Sequence, residues 1–91
     1  MAGTVYADAV ISDHAASQMA RRGISVALLK SVLRNPEQVA EVRPGRVILQ
    51  SGVRIGTRSQ LIRVFVDVNV SPAQVVTAYR TSKIDKYWSE Q

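Results

Sequence analysis

The sequence predicts an α+β fold, in which an N-terminal helix hairpin packs on an antiparallel sheet of about four strands and a short helix follows. Three observations predict it. Two segments between residues 12 and 36 have the apolar spacing of amphipathic helices. Only Gly23 and Ile24 separate them, and so short a linker favours a hairpin. From residue 37 to residue 80 the apolar period changes to two, which is typical of strands.

The first helix is predicted to begin at Ser12 or Asp13, either of which can cap it, and to end at Gly23. At about 100° per residue, small and apolar side chains fall on one arc and polar side chains on the other. The predicted inner arc contains Ala15, Ala16, Met19 and Ala20, and the outer arc contains His14, Ser17, Gln18, Arg21 and Arg22.

The second helix is predicted to begin after Ser25 and to stop at Asn35 and Pro36. Its apolar residues share an arc that can cover a sheet. This arc contains Val26, Leu28, Leu29, Val32 and Leu33, whereas Lys30, Ser31 and Arg34 point away.

The strands follow from alternation and from turn residues. QVAEV and RVILQ flank the turn RPG, residues 53–55 form a possible short strand, and LIRVFVDV and QVVTAYR flank NVSPA. In LIRVFVDV the predicted faces are Ile62, Val64, Val66 and Val68 against Leu61, Arg63, Phe65 and Asp67. In QVVTAYR they are Val75, Thr77 and Tyr79 against Val76, Ala78 and Arg80, and the pattern leaves open which of these is buried.

The C-terminal stretch SKIDKYW is predicted as a short helix. Ser82 is its expected cap, and Ile84, Tyr87 and Trp88 are expected to dock it onto the rest of the chain.

Length and composition restrict the function. The 91 residues predict one domain spanning residues 1–91. Nine of the twelve basic residues are arginines and the net charge is +5, which favours nucleic acid or an acidic protein as a partner. Without cysteine, disulfides and thiolate metal sites are excluded, and one histidine argues against the usual zinc or iron sites, so no cofactor or metal is predicted. No apolar run approaches the roughly 18 residues of a membrane span and no signal peptide is visible, so the expected location is the cytoplasm.

His14 is the only histidine and falls in the first helical turn. The helix dipole there favours a neutral imidazole, which can accept a proton. Gln18 and Arg21 lie one and two turns further on, an arrangement that suits a general base with phosphate-binding neighbours. The alternative is a surface histidine, or one that pins the helix to a nearby carbonyl.

The arginines divide into two kinds. Arg63 lies in mid-strand between large apolar residues, a costly position unless that face is open or binds anions, so we favour a functional role. Arg80 is on the neighbouring strand, and the register that would bring it to Arg63 is not readable. Arg54 and Arg58 flank a glycine-containing loop that can hold a phosphate backbone, although edge charges also serve to prevent aggregation.

Few aromatic residues are available for stacking on a base. Tyr79 and Tyr87 could stack in this way, but Tyr87 and Trp88 are favoured as the anchor of the tail.

Four stretches in order, HAASQMARRGIS, the NP after the second helix, LIRVFVDV and VVTAYRTSKIDKYW, resemble a bacterial domain-of-unknown-function family over about residues 11 to 88. That family is similar to the RelE/ParE toxin superfamily of the barnase–colicin–RelE fold. The resemblance implies a metal-independent RNA-cutting toxin held inactive by an antitoxin. The matching positions are His14, Arg22, Thr77, Tyr79 and Lys83, while Gln18 stands where members of the family often have arginine.

The resulting hypothesis is a single RelE-like domain acting as a toxin-like, metal-independent endoribonuclease, with RNA and an acidic antitoxin as partners. His14 is the expected base or acid, and Tyr79 a base platform or acid. Arg22, Arg63 and Arg80 form the expected phosphate clamp, and Arg21, Arg54, Arg58 and Lys83 are the expected nucleic-acid-binding residues. Two alternatives stay open: a non-catalytic module that binds an acidic partner or nucleic acid, and a ParE-like topoisomerase inhibitor.

Overall fold

The computed structural model describes residues 4–88 and has a mixed α+β architecture. Along the described chain the elements are α1 (Thr4–Ala7), β1 (Val10–Ile11), α2 (Asp13–Arg22), α3 (Val26–Arg34), β2 (Gln38–Arg43), β3 (Arg46–Ile55), β4 (Arg58–Asp67), β5 (Gln74–Thr81) and α4 (Ile84–Tyr87).

The strands form one sheet in the order β1-β5-β4-β3-β2, with β1 parallel to β5 and the other pairs antiparallel. Two expectations were wrong. The strand β1 was not predicted, because two residues are too few to show a period. Residues 53–55 are no separate strand but the end of β3, which pairs with β4 along its whole length.

The predicted helix starts are confirmed by side-chain caps. The Ser12 hydroxyl accepts a hydrogen bond from the Ala15 amide, and the Ser25 hydroxyl accepts one from the Leu28 amide, each at 3.1 Å. Gly23 ends α2 with φ 71°, a left-handed conformation that glycine adopts without steric cost.

The main core lies between one sheet face and the hairpin of α2 and α3. Leu49, Ile62, Val64 and Val66 of the sheet are buried here. They pack in one cluster with the helical residues Ala15, Met19, Leu29, Val32 and Leu33.

Some side chains expected in the core are outside it. Ala16 and Ala20 are exposed, whereas Gln18 and Arg22, expected to face solvent, bond to β5. The reason is that α2 packs mainly on β5, where polar side chains find hydrogen-bond partners that a hydrophobicity pattern does not reveal. Val26 begins α3 and Val68 follows β4, so these two expected core residues lie at element ends and are exposed.

The faces predicted for β5 were also wrong. The register shifts between Phe65 and Val66, so Val66 pairs with Val75 whereas Phe65 pairs with Thr77, and Val76 is left without a partner in the register. This irregularity puts Val75 and Ala78, three residues apart, in the same core.

The opposite face of the sheet, here called the outer face, carries Ile48, Gln50, Leu61, Arg63, Phe65 and Tyr79, as the strand register shows. Ile48 and Leu61 are buried there, outside the main core. The short helix α4 joins this face through Tyr87, while Lys83 rather than Ser82 precedes it and forms no side-chain cap. No helix within residues 4–88 is long and apolar enough to cross a membrane.

Candidate functional site

Arg63 lies in the middle of the outer face, between Gln50 on β3 and Tyr79 on β5. Both are its direct partners in the strand register. Arg63 Nε donates a hydrogen bond to Gln50 Oε1 at 3.0 Å, and Arg63 Nη1 donates one to the Tyr79 hydroxyl. The sheet thus brings together two residues of the predicted site, Arg63 and Tyr79, and adds Gln50.

Three aromatic rings surround the Arg63 guanidinium. Its central carbon lies 4.1 Å from the centre of the Tyr87 ring, 5.6 Å from that of Tyr79 and 5.9 Å from that of Phe65. Rings at these distances attract a cation through their electron-rich faces. The sequence analysis described the mid-strand position of Arg63 as energetically costly, and these neighbouring rings stabilise the cation there.

Gln50 is the buried centre of this arrangement, with 4% of its surface exposed. Its Nε2 donates to Gln38 Oε1 at 2.7 Å and to the Tyr87 backbone oxygen at 3.0 Å. Gln50 therefore connects β2, β4 and α4.

Arg63 forms no ion pair with a carboxylate in the described part of the chain. Because a guanidinium has five N–H groups, three of those on Arg63 have no acceptor among the described residues. Arg46 differs: its Nε and Nη2 bind the two Asp67 carboxylate oxygens at 2.6 and 3.1 Å. This hydrogen bonding lowers the pKa of Asp67, against an opposing effect of desolvation.

A cleft of about 450 Å³ adjoins Arg63 on the outer face. Glu37 supplies the one carboxylate among its lining residues, and Glu37 Oε1 accepts a hydrogen bond from the Gly52 amide at 2.6 Å. The lining residues are Glu37, Gln38, Val39, Ala40, Ile48, Gln50, Arg63 and Tyr87. A cation, a carboxylate and an aromatic ring thus border one space large enough for part of a nucleotide.

Three other predicted arginines lie near the C-terminal end of α2: Arg21 and Arg22 belong to this helix, and Arg80 belongs to β5. Arg22 Nη1 donates to the Ala78 backbone oxygen at 2.8 Å. Arg80 pairs with Ile62 and so faces the core side, where its Nη2 would lie 3.2 Å from a β-carbon at Gly23. Arg21 is exposed. Arg22 and Arg80 are therefore not part of the hydrogen-bonded group around Arg63.

His14 is exposed at the start of α2 and makes no hydrogen bond, ion pair or ring contact with another described residue. Gln18, one turn later, accepts a hydrogen bond from the Thr77 hydroxyl. The predicted stripe of His14, Gln18 and Arg21 is therefore interrupted, because its middle member faces β5.

The remaining predicted nucleic-acid-binding residues lie at the margins. Arg54 pairs with Ser59 and Arg58 with Ile55, so these exposed arginines point to opposite faces of the β3–β4 hairpin. Lys83 is exposed immediately before α4. Within residues 4–88, no group of three or more histidine, cysteine, aspartate or glutamate residues is arranged to hold a metal ion.

A family model described as Domain of unknown function (DUF4258) matches residues 11–80, more than half of the chain. The chain belongs to the DUF4258 family. The match begins in β1 and ends in β5, so it contains His14, Glu37, Gln50 and Arg63. Tyr87 and the rest of α4 lie beyond the part matched to DUF4258. No curated protein and no solved structure matches the chain.

Sequence patterning did not identify Glu37, Gln38 and Gln50 as members of the group around Arg63 and its cleft. Gln38 is the first residue of the predicted strand QVAEV, and Gln50 is the last residue of the predicted strand RVILQ. A polar residue is ordinary at the end of a strand, so the pattern did not single out either glutamine. One signal was available: two glutamines at corresponding ends of a predicted hairpin lie opposite each other if the turn is RPG.

Proposed function

We propose that this DUF4258 protein is a toxin-like endoribonuclease of the RelE/ParE superfamily that binds RNA on the outer face and cleaves it without a metal ion. An acidic antitoxin is its proposed protein partner, and the cytoplasm its proposed location. The net charge of +5 favours a polyanionic ligand.

The observation that carries the proposal is the set of unsatisfied N–H groups on Arg63. Within the described residues no carboxylate neutralises this cation, although its orientation is set by Gln50 and Tyr79. A planar guanidinium with parallel N–H groups matches two oxygens of a phosphate. A phosphodiester at Arg63 would also lie beside the Tyr87 ring, on which a base can stack.

The proposed reaction is transesterification. A base accepts the proton of the ribose 2′-OH, the 2′ oxygen forms a bond to phosphorus, and the bond from phosphorus to the 5′ oxygen breaks. The Tyr79 hydroxyl already accepts a hydrogen bond from Arg63, which leaves its own proton available for the departing 5′ oxygen. Arg63 stabilises the negative charge that develops on the phosphoryl oxygens.

Two residues are proposed for the base. Glu37 borders the same cleft as Arg63, which supports it on position. His14 is the residue that the family resemblance implies, but its only support here is an exposed imidazole on α2. Glu37 is the better supported of the two.

The other basic residues are proposed to contact the RNA backbone around the site. Arg80 is one of these, although it faces the core side of the sheet and not the outer face. Arg21, Arg22, Arg54, Arg58 and Lys83 are the further proposed contacts. Such contacts supply affinity without reading sequence.

The experiment is incubation of the purified protein with short single-stranded RNA in EDTA, followed by analysis of the product ends. Cleavage to 2′,3′-cyclic phosphate and 5′-hydroxyl ends supports the proposal. A matched RNA with 2′-deoxyribose at the cleaved position is the control, because it lacks the attacking group. Intact RNA after incubation with folded protein, or equal cleavage of the deoxy substrate, would refute the proposed reaction.

A non-catalytic module that binds nucleic acid or an acidic partner is the second candidate. It is favoured by the absence of a contact between His14 and the Arg63 group. RNA binding without cleavage, lost in Arg63→Gln, would support this module over the nuclease.

A further inference from the structure

We propose that Gln50 is a positioning residue, which sets the plane of the Arg63 guanidinium and holds the C-terminal helix α4 beside it. The effect on RNA rests on the proposed function, whereas the effect on Arg63 and α4 does not. The hydrogen bonds of Gln50 use both the oxygen and the nitrogen of its side-chain amide, so they require an amide at position 50.

The first step is the burial of Gln50. A glutamine that is 4% exposed on a sheet face has lost its hydration, so each of its polar atoms needs a protein partner. Gln50 has them: its oxygen accepts from Arg63 Nε, and its nitrogen donates to Gln38 Oε1 and to the Tyr87 backbone oxygen.

The second step is the requirement for both halves of the amide. The hydrogen bond at Nε fixes the guanidinium at its inner end, and the Nη groups then extend past Gln50 with three N–H groups left for an anion. The hydrogen bond to the Tyr87 carbonyl holds the main chain of α4. A leucine can do neither, and a glutamate can accept from Arg63 but has no hydrogen to donate to Tyr87.

The third step concerns α4 itself. It has four residues and none of its side chains is fully buried, and besides its contacts with Arg63 and Gln50 its Tyr87 ring lies 6.3 Å from the Tyr79 ring. Tyr87 contacts the Arg63–Gln50 pair twice: its ring lies against the Arg63 guanidinium, and its backbone oxygen accepts a hydrogen bond from Gln50. A change at Gln50 is therefore transmitted both to the cation and to the aromatic ring that covers it.

Gln50→Glu is the sharpest test, because it changes one terminal group of nearly the same size. The carboxylate would form an ion pair with Arg63 and compete with phosphate for the guanidinium. It would also place negative charge against the Tyr87 carbonyl and so release α4. Gln74→Glu is the matched control, since Gln74 is exposed on β5 and the change in net charge is the same.

Three measurements separate positioning from general stability. Binding is measured with single-stranded 2′-O-methyl RNA, which cannot undergo the cleavage. The Arg63 Nε–H signal in NMR reports the guanidinium, and the fluorescence of Trp88, the only tryptophan and the neighbour of Tyr87, reports α4. Thermal unfolding establishes that each variant is folded.

For Gln50→Glu we expect affinity for the RNA to fall by about tenfold or more, with a shifted but protected Arg63 Nε–H signal and changed Trp88 emission. For Gln50→Leu we expect loss of Nε–H protection and the same change in emission. Gln74→Glu should match the wild type in both signals. Unchanged Arg63 and Trp88 signals in folded Gln50→Glu and Gln50→Leu would overturn the proposal.

The same experiment distinguishes the two proposals. If the wild type binds no RNA while both Gln50 variants alter the Arg63 and Trp88 signals, the proposed function fails and the positioning role stands. If RNA binding depends on Arg63 but neither Gln50 variant changes affinity or signals, the positioning role fails alone.

Discussion

The guanidinium of Arg63 in β4 lies over the ring of Tyr87 in α4, with 4.1 Å between the guanidinium carbon and the ring centre. Three N–H groups of this guanidinium have no acceptor among the described residues. Stacking and phosphate binding use different directions of the same group, so both can occur together. The helix α4 can thus border the proposed anion site on the outer face without blocking it.

Arg63→Gln should weaken RNA binding and reduce its dependence on salt. The change removes a cation that has no ion pair among the described residues, while keeping a polar side chain beside Gln50 and Tyr79. Loss of one phosphate contact lowers the slope of log K against log salt by about 0.7 for a single strand. The slope is obtained from RNA affinities measured by fluorescence anisotropy at salt concentrations from about 50 to about 300 mM.

The control is Arg34→Gln, which removes the same charge from the exposed end of α3. An equal loss of affinity in both variants would show that net charge, rather than the Arg63 site, holds the RNA.

Glu37→Gln should lower RNA cleavage by about 10²–10⁴ while leaving RNA affinity nearly unchanged, as expected for loss of a general base. The amide oxygen can still accept from the Gly52 amide, so the fold should be preserved. His14→Ala should have little effect on cleavage or stability, because the side chain is exposed and contacts no described residue. Single-turnover rates of both variants decide between the bases, and a large loss in His14→Ala alone would assign the role to the histidine.

Arg22→Ala should reduce the free energy of unfolding by about 1–3 kcal/mol, because it removes the donor to a backbone oxygen of a buried residue. The adjacent Arg21→Ala removes an exposed arginine and should change stability by no more than about 0.5 kcal/mol. Urea denaturation measures both. Equal values for the two variants would mean that the bond to Ala78 contributes nothing measurable.

The Arg46–Asp67 pair should make stability depend on acid pH. The hydrogen bond from Arg46 lowers the pKa of Asp67 in the folded state, so the unfolded chain takes up this proton more readily. The pair therefore contributes stability above the ordinary aspartate pKa of about 3.9. That contribution disappears as pH falls through the lower folded value.

Asp67→Asn tests this contribution by urea denaturation from neutral to strongly acid pH. The difference in stability between wild type and variant should be constant near neutrality and vanish in strong acid. A difference that persists unchanged in strong acid would show that Asp67 acts through packing rather than through its charge.

The parts of the fold predicted from sequence are those with a local cause. The helices α2 and α3 begin where predicted because Ser12 and Ser25 each cap an amide three residues on. Strand β4 was predicted because its alternation is regular, and Ile62, Val64 and Val66 all face the core. A resemblance to a domain-of-unknown-function family was likewise inferred from short local motifs, and the DUF4258 match confirms that the chain belongs to a family of this kind.

The remaining features depend on contacts between distant residues. Gln18 and Arg22 face β5 because each finds a bonding partner there, about 55 to 60 residues later in the chain. The displaced register of β5 is set by its pairing with β4 and shows no signal in QVVTAYR. Likewise, Gln50, Arg63 and Tyr79 each lie on a different strand, so their direct contact follows from a register that the sequence pattern does not contain.

The two edges of the sheet differ in how much backbone they offer to another strand. On the β5 side, β1 pairs with Gln74 and Val75, and the helix α2 bonds to the strand beyond them through Gln18 and Arg22. On the other side, no strand in the described part of the chain pairs with the outer edge of β2, and its Val39 and Val42 are about half exposed. At six residues β2 is longer than β1, the edge strand of two residues on the opposite side. Two copies that paired through β2 would each cover this edge of the other and so form a closed dimer there.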